Sequence, residues 1–148
     1  MNRAALAPTP SPHKGERVWR FIVLAAMPLL LAACKTSEPQ DYALLHAHQE
    51  PLDIASHIAE RVGTCWFDGS RPAFANYSYA PELSSTTRPR VLIVQKTDPS
   101  GLPQLVIEVV KAKRGSDVKL FGPLMGTGES SAIYRDMTRW SGGARDCG

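Results

Sequence analysis

The sequence predicts an α+β domain: a small antiparallel sheet of three to four strands, with an N-terminal and a C-terminal helix packed on it. Two observations support this class. Apolar residues recur at helical spacing in the segments 54–62 and 133–140. Between these segments, residues 90–124 contain consecutive apolar runs separated by turn-forming residues, a pattern typical of neighbouring antiparallel strands. The region 51–148 is therefore predicted to be one domain.

The composition is that of an ordinary small globular chain. Of the 148 residues, 43% are hydrophobic and 21% are charged, with 11 Gly and 12 Pro. These totals, together with the lack of a sustained heptad, exclude collagen-like, low-complexity and coiled-coil proteins. The length permits one small domain and little more.

The first helix is predicted to begin at Pro51, because proline suits the first turn of a helix. Its apolar residues fall on one face and its polar residues on the other, and Gly63 is placed to end it. Cys65 follows on the apolar side, next to Trp66 and Phe67. The apolar face consists of Ile54, Ala55, Ile58, Ala59 and Val62.

Four segments are predicted to be strands: Phe74–Ala80, Arg90–Thr97, Gln104–Lys111 and Val118–Leu124. The second and third form the clearest hairpin, because Asp98-Pro99-Ser100-Gly101 between them matches a type I turn.

The last helix carries Ile133, Met137 and Trp140 on one side. Ser130 or Ser131 is predicted to cap its start, and Gly142-Gly143 is predicted to end it.

The N-terminal segment has the layout of an export signal. Lys14, Arg17 and Arg20 precede an apolar run, Phe21–Ala33, which ends in Leu31-Ala32-Ala33-Cys34. The run of roughly 13 residues is shorter than the ~20 that span a bilayer as a helix. We expect it to be removed.

Leu31-Ala32-Ala33-Cys34 resembles the lipobox of bacterial lipoproteins. The resemblance implies cleavage before Cys34 and acylation of that cysteine, which would place the chain in the cell envelope on the periplasmic side. Lys35 in the next position is compatible with the outer membrane rather than the inner one. The chain would then consist of a signal peptide (1–33), a lipidated N-terminus and tether (34–50) and the α+β domain (51–148).

The excess positive charge lies in the leader. The whole chain has 17 Lys+Arg and 14 Asp+Glu, and residues 1–33 contain four of the former and one of the latter, which leaves 13 of each. A neutral domain does not indicate a nucleic-acid partner. Gly126-Thr127-Gly128 lacks the spacing and the lysine of a phosphate-binding loop, so no nucleotide partner is predicted either.

The three cysteines divide into one anchor and one pair. If Cys34 carries lipid, Cys65 and Cys147 remain, and an exported chain lies where disulfides form and persist. A Cys65–Cys147 disulfide is the simplest interpretation, with two free thiols or a redox pair as alternatives.

No catalytic residue, metal site or cofactor is predicted. His46, His48 and His57 are interpreted as solvated side chains rather than metal ligands. Lys111, Lys113 and Arg114 cluster near one hairpin end and form a possible anion-binding site.

The sequence therefore favours a lipid-anchored envelope protein with a structural or protein-interaction role, similar to many small bacterial lipoproteins. One alternative is inhibition of a lysozyme-type wall hydrolase, because Ser130-Ser131-Ala132-Ile133-Tyr134 loosely resembles the inhibitory loop of lipoprotein lysozyme inhibitors. Another is a small serine hydrolase using Ser130 or Ser131 with His57.

Overall fold

A computed structural model of the chain describes residues 42–148. In this part of the chain, five strands form one antiparallel sheet in the order β1-β5-β4-β3-β2, accompanied by two α-helices. The strands are β1 (Tyr42–Ala47), β2 (Tyr77–Glu82), β3 (Arg90–Gln95), β4 (Leu105–Lys111) and β5 (Ser116–Phe121). The helices are α1 (Pro51–Val62) and α2 (Ser130–Ser141). The predicted α+β class and antiparallel sheet are confirmed.

The predicted number of strands, three to four, was wrong, because β1 is a fifth strand. It lies in the segment that the sequence assigned to the tether and pairs with β5, so that Tyr42 stands opposite Phe121 and Ala47 opposite Ser116. Two of its three inward residues are alanines, which weakens the hydrophobic alternation of a strand. Its partner is also remote in the sequence, so no turn signal marks the pairing.

The segment predicted as the first strand divides into two structures. Pro72–Phe74 forms a short 3-10 helix, and β2 begins three residues later at Tyr77. The Phe74 ring is buried and stacks on Trp66 with the ring centroids 4.3 Å apart. Burial against an aromatic neighbour therefore removes Phe74 from the sheet.

α1 begins at Pro51, as its sequence predicts, and its α-helical part ends at Val62. The chain does not break at Gly63, however, but continues as a π-helix over Gly63–Asp68. This extra turn places Cys65 and Trp66 in the core.

α2 ends before Gly142-Gly143, as predicted, but the predicted serine cap was wrong, because Ser130 is already the first residue of the helix. Glu129 occupies the N-cap position, with no side-chain hydrogen bond to the helix.

Both helices lie against the same face of the sheet. The inward residues of the strands join the apolar faces of α1 and α2 in a single core, while the alternate residues of the strands face away from it. The fully buried members from the strands include Ile93, Leu105, Ile107, Val118 and Leu120. Within residues 42–148, neither helix has the length and hydropathy required to cross a bilayer.

Candidate functional site

The free side of β1 borders a shallow groove. Because β1 is an edge strand and α2 packs beside it, a cavity of about 240 Å³ opens between the two elements. Tyr42 and Tyr134 are 46% and 45% exposed, so the groove presents two partly free aromatic side chains. Its lining consists of Tyr42, Ala43, Met125, Ser130, Ser131 and Tyr134.

Exposed apolar side chains concentrate on and next to β1. Six large hydrophobic side chains are exposed in residues 42–148, and four of them lie on or next to β1. Tyr42 and Leu44 belong to β1 itself, Phe121 stands opposite Tyr42 in β5, and Tyr134 lines the groove. We call these four residues, together with the outer backbone of β1, the β1 edge. Apolar surface concentrated in this way is typical of an interaction site.

The two edges of the sheet differ in chemistry. β2, at the opposite edge, contains Pro81 and Glu82, residue types that discourage pairing with another strand. β1 has the sequence Tyr-Ala-Leu-Leu-His-Ala and contains no Pro, Lys, Arg, Asp or Glu. The β1 edge therefore lacks the features that keep edge strands apart.

The structure does not bring together the residues of the serine-hydrolase alternative. His57 Nε2 lies 3.0 Å from the carbonyl oxygen of Ala144, beyond the C-terminal end of α2. Ser130 and Ser131 begin α2, and its 12 residues span about 16 Å from first to last. His57 and the serines thus lie near opposite ends of the same helix.

His57 instead holds the C-terminal tail. Together with Arg61, which donates to the carbonyl oxygen of Arg145 at 2.6 Å, it fastens the tail to α1. Trp140 Nε1 donates to the carbonyl oxygen of Asp146 at 3.1 Å. The interpretation of His57 as a freely solvated side chain was wrong, because it is half-buried and bound to the tail.

The Cys65–Cys147 disulfide is confirmed, with a Cα–Cα distance of 5.2 Å. It joins the turn after α1 to the tail after α2. The tryptophans beside it, Trp66 and Trp140, are 1% and 0% exposed. They therefore belong to the core.

A buried carboxylate that was not predicted from the sequence, Asp136, bonds one of these tryptophans. Asp136, 4% exposed, accepts a hydrogen bond from Trp66 Nε1 at 2.9 Å and one from Arg71 Nη1 at 2.5 Å. The sequence feature that could have indicated this buried carboxylate is the position of Asp136, three residues after Ile133 and thus on the apolar side of α2. Asp136 bonds a core indole and a half-buried arginine of the same domain, so we interpret this site as structural.

The predicted basic residues surround the turn between β4 and β5. Lys111 pairs with Glu50, whereas Lys113 and Arg114 are exposed and form no ion pair with any residue in 42–148. This turn lies at the end of β1 opposite to Tyr42, about 17 Å away for a separation of five residues. The basic turn and the Tyr42 end of the β1 edge are thus separate surfaces.

His46 and His48 lie next to each other and belong to no cluster of metal ligands among residues 42–148. Their rings are 5.8 Å apart, and His46 Nδ1 lies 3.2 Å from Asp117 Oδ1. No group of three or more potential ligand residues converges within residues 42–148. Cys34 and the predicted signal peptide lie outside the described residues.

Comparison of the chain with protein-family models, curated proteins and solved structures finds no match.

Proposed function

We propose that this chain is a lipid-anchored protein of the bacterial envelope that binds a protein partner through the β1 edge. The observation that carries the interaction role is the set of exposed side chains Tyr42, Leu44, Phe121 and Tyr134 on or next to an edge strand that is paired on one side only. The anchor rests on Leu31-Ala32-Ala33-Cys34 at the end of the apolar run.

The anchor would hold this interaction surface near the bilayer. Seven residues, 35–41, separate Cys34 from Tyr42. A fully extended chain advances at most about 3.5 Å per residue, so Tyr42 lies within roughly 28 Å of the acylated cysteine. Two or more acyl chains anchor a protein stably, whereas a single chain gives marginal binding. The partner would therefore be another component at the membrane surface.

The anchor is tested by mass and by fractionation. The native protein is expected to begin at Cys34, to carry acyl chains and to sediment with membranes. A Cys34→Ala variant should lose the acyl mass and leave the membrane fraction. Retention of residues 1–33 or an unmodified Cys34 in the native protein would refute the anchor.

The outer-membrane localisation is tested by a separate variant. Lys35 follows the acylated cysteine, and by resemblance to other lipoproteins we expect outer-membrane localisation. Lys35→Asp should shift the protein to the inner-membrane fraction. If the native protein is already in the inner membrane, the outer-membrane proposal fails.

The interaction role is tested with a photo-crosslinking amino acid at position 44. Leu44 is 52% exposed on the β1 edge, and Leu102, 88% exposed in the β3–β4 connection, provides a matched control position. Irradiation of membranes should yield a defined crosslinked product from position 44 and none from position 102. Equal crosslinking from both positions, or none from position 44, would contradict the proposal.

Inhibition of a wall hydrolase is a second candidate, favoured by the exposure of Tyr134 beside Ser130 and Ser131. An exposed tyrosine on a rigid helix is suited to enter an enzyme cleft. This role requires that the purified protein slow lysozyme and that Tyr134→Ala relieve the inhibition. Undiminished lysozyme activity at a large molar excess of the protein eliminates it.

A further inference from the structure

The outer side of β1 presents backbone hydrogen-bonding groups to which another strand can bind. Within residues 42–148, the backbone of β1 makes its sheet hydrogen bonds to β5, and no other backbone bond reaches it. In an antiparallel sheet, every second residue of an edge strand directs its N–H and C=O away from the sheet. A second strand that adds to this edge would bind these N–H and C=O groups and continue the sheet.

We propose that this strand is β1 of a second copy of the chain, paired antiparallel across a two-fold axis. The inference rests on the proposed interaction role of the β1 edge and names its partner. A two-fold interface requires a surface that is complementary to itself. β1 meets this requirement because it has no fixed charge that would face a like charge across the axis.

Side-chain direction selects the register. Residues directly opposite each other in an antiparallel pair lie on the same face of the sheet. Pairing Leu44 with Leu44 of the second copy therefore buries two side chains that are each 52% exposed. In this register Tyr42 lies opposite His46 of the second copy. Tyr42 would then be enclosed between that histidine and Phe121, its neighbour in β5.

The other face of the pair is equally compatible. Ala43 and Leu45 face the core side of β1, and the same register sets Ala43 of each copy against Leu45 of the other. A small residue thus meets a large one. The groove beside Ala43, about 240 Å³ in volume, would leave space between the added strand and α2.

Charge substitutions at position 44 test the dimer with the full chain. Leu44 stands opposite Lys119 in β5, so Leu44→Glu adds a favourable contact within one copy. Across the axis the same substitution opposes two carboxylates. We expect it to raise the dimer dissociation constant at least about tenfold, and Leu44→Lys to do the same through two ammonium groups. A mixture of the two variants should recover a heterodimer, because opposite charges then meet.

The measurement is the mass of the purified full chain in mild detergent over a dilution series, with Leu102→Glu as a control that should remain dimeric. Circular dichroism and the absence of free Cys65 and Cys147 thiols verify that each variant is folded. A monomeric native chain, or variants that dimerise as tightly as the native chain, overturns the two-fold pairing.

A cysteine at the same position gives an independent readout. Opposed residues of antiparallel strands have Cα atoms about 4.5–5.5 Å apart, within the range of a disulfide. Leu44→Cys should therefore form a covalent dimer under mild oxidation, and Leu102→Cys should not. If the photo-crosslinking residue at position 44 captures only a different protein in membranes, the second copy is the wrong partner, while the proposed interaction role stands.

Discussion

Replacing Asp136 should destabilise the domain far more than replacing an exposed aspartate. Asp136 is 4% exposed and accepts hydrogen bonds from Trp66 Nε1 and Arg71 Nη1. Asp136→Ala leaves the indole N–H of Trp66, whose residue is 1% exposed, without an acceptor. An unsatisfied buried donor costs about 1–3 kcal/mol, and a hydrogen bond to a charged group contributes about 1.5–3 kcal/mol. Since Arg71 remains partly solvated, we expect a total loss of about 3 kcal/mol.

The assay is urea unfolding of the oxidised protein, with thermal unfolding as a second measure. A loss of 3 kcal/mol corresponds to roughly 12 °C in Tm for a domain of this size. Asp136→Asn keeps an acceptor oxygen and should lose about half as much. Asp53→Ala, at an exposed position in the first turn of α1, should cost less than about 1 kcal/mol. If Asp136→Ala costs no more than Asp53→Ala, the carboxylate does not satisfy the buried donor and the reasoning is wrong.

Three further predictions concern the tail and one turn. Replacing both Cys65 and Cys147 by alanine removes a disulfide that joins residues 82 positions apart. The free energy of unfolding, measured by urea titration, should fall by about 4 kcal/mol. An unchanged urea midpoint would contradict this prediction. Gly115→Ala should destabilise the domain by about 1–3 kcal/mol, because φ at Gly115 is +68° and the new Cβ would collide with the backbone of β1. Gly128→Ala is the control and should have little effect, since the space around Gly128 is open. Equal stability losses in the two variants would refute the steric argument. His57→Ala should cost about 1 kcal/mol and speed amide exchange in residues 144–148, and unchanged exchange would show that His57 does not hold the tail.

The elements that the sequence predicted well are those with a local signal. α1 and α2 have apolar residues at helical spacing, and the β3–β4 hairpin has both alternation and turn residues. β1 lacks such a signal, because its inward residues are mostly alanine and its partner β5 is remote in the sequence. Phe74 was predicted to be in a strand because its residue type favours strands. It lies instead in a 3-10 helix, and its ring is buried against Trp66.

The candidate site was beyond sequence reasoning for a related reason. Whether Tyr42 and Leu44 are exposed depends on β1 being at the edge, and strand order is a tertiary property. The disulfide could be predicted because the cysteine count left one pair once Cys34 was assigned to lipid. The direction of His57 depends on where the chain passes after α2, which helical periodicity alone does not determine.

The pairing of β1 with β5 also has a temporal consequence. If the chain is exported N-terminus first, Tyr42–Ala47 emerges before its partner, which follows 69 to 79 residues later, as the register pairs Ala47 with Ser116 and Tyr42 with Phe121. Cys65 would wait longer still, since Cys147 follows it by 82 residues. Such long-range contacts form slowly because the intervening chain must first be brought together. In a chain exported in this way, β1 would stay unpaired until β5 had arrived, and Cys65 would stay a free thiol until Cys147 had arrived. A chaperone or a thiol oxidase would act on the chain during that interval.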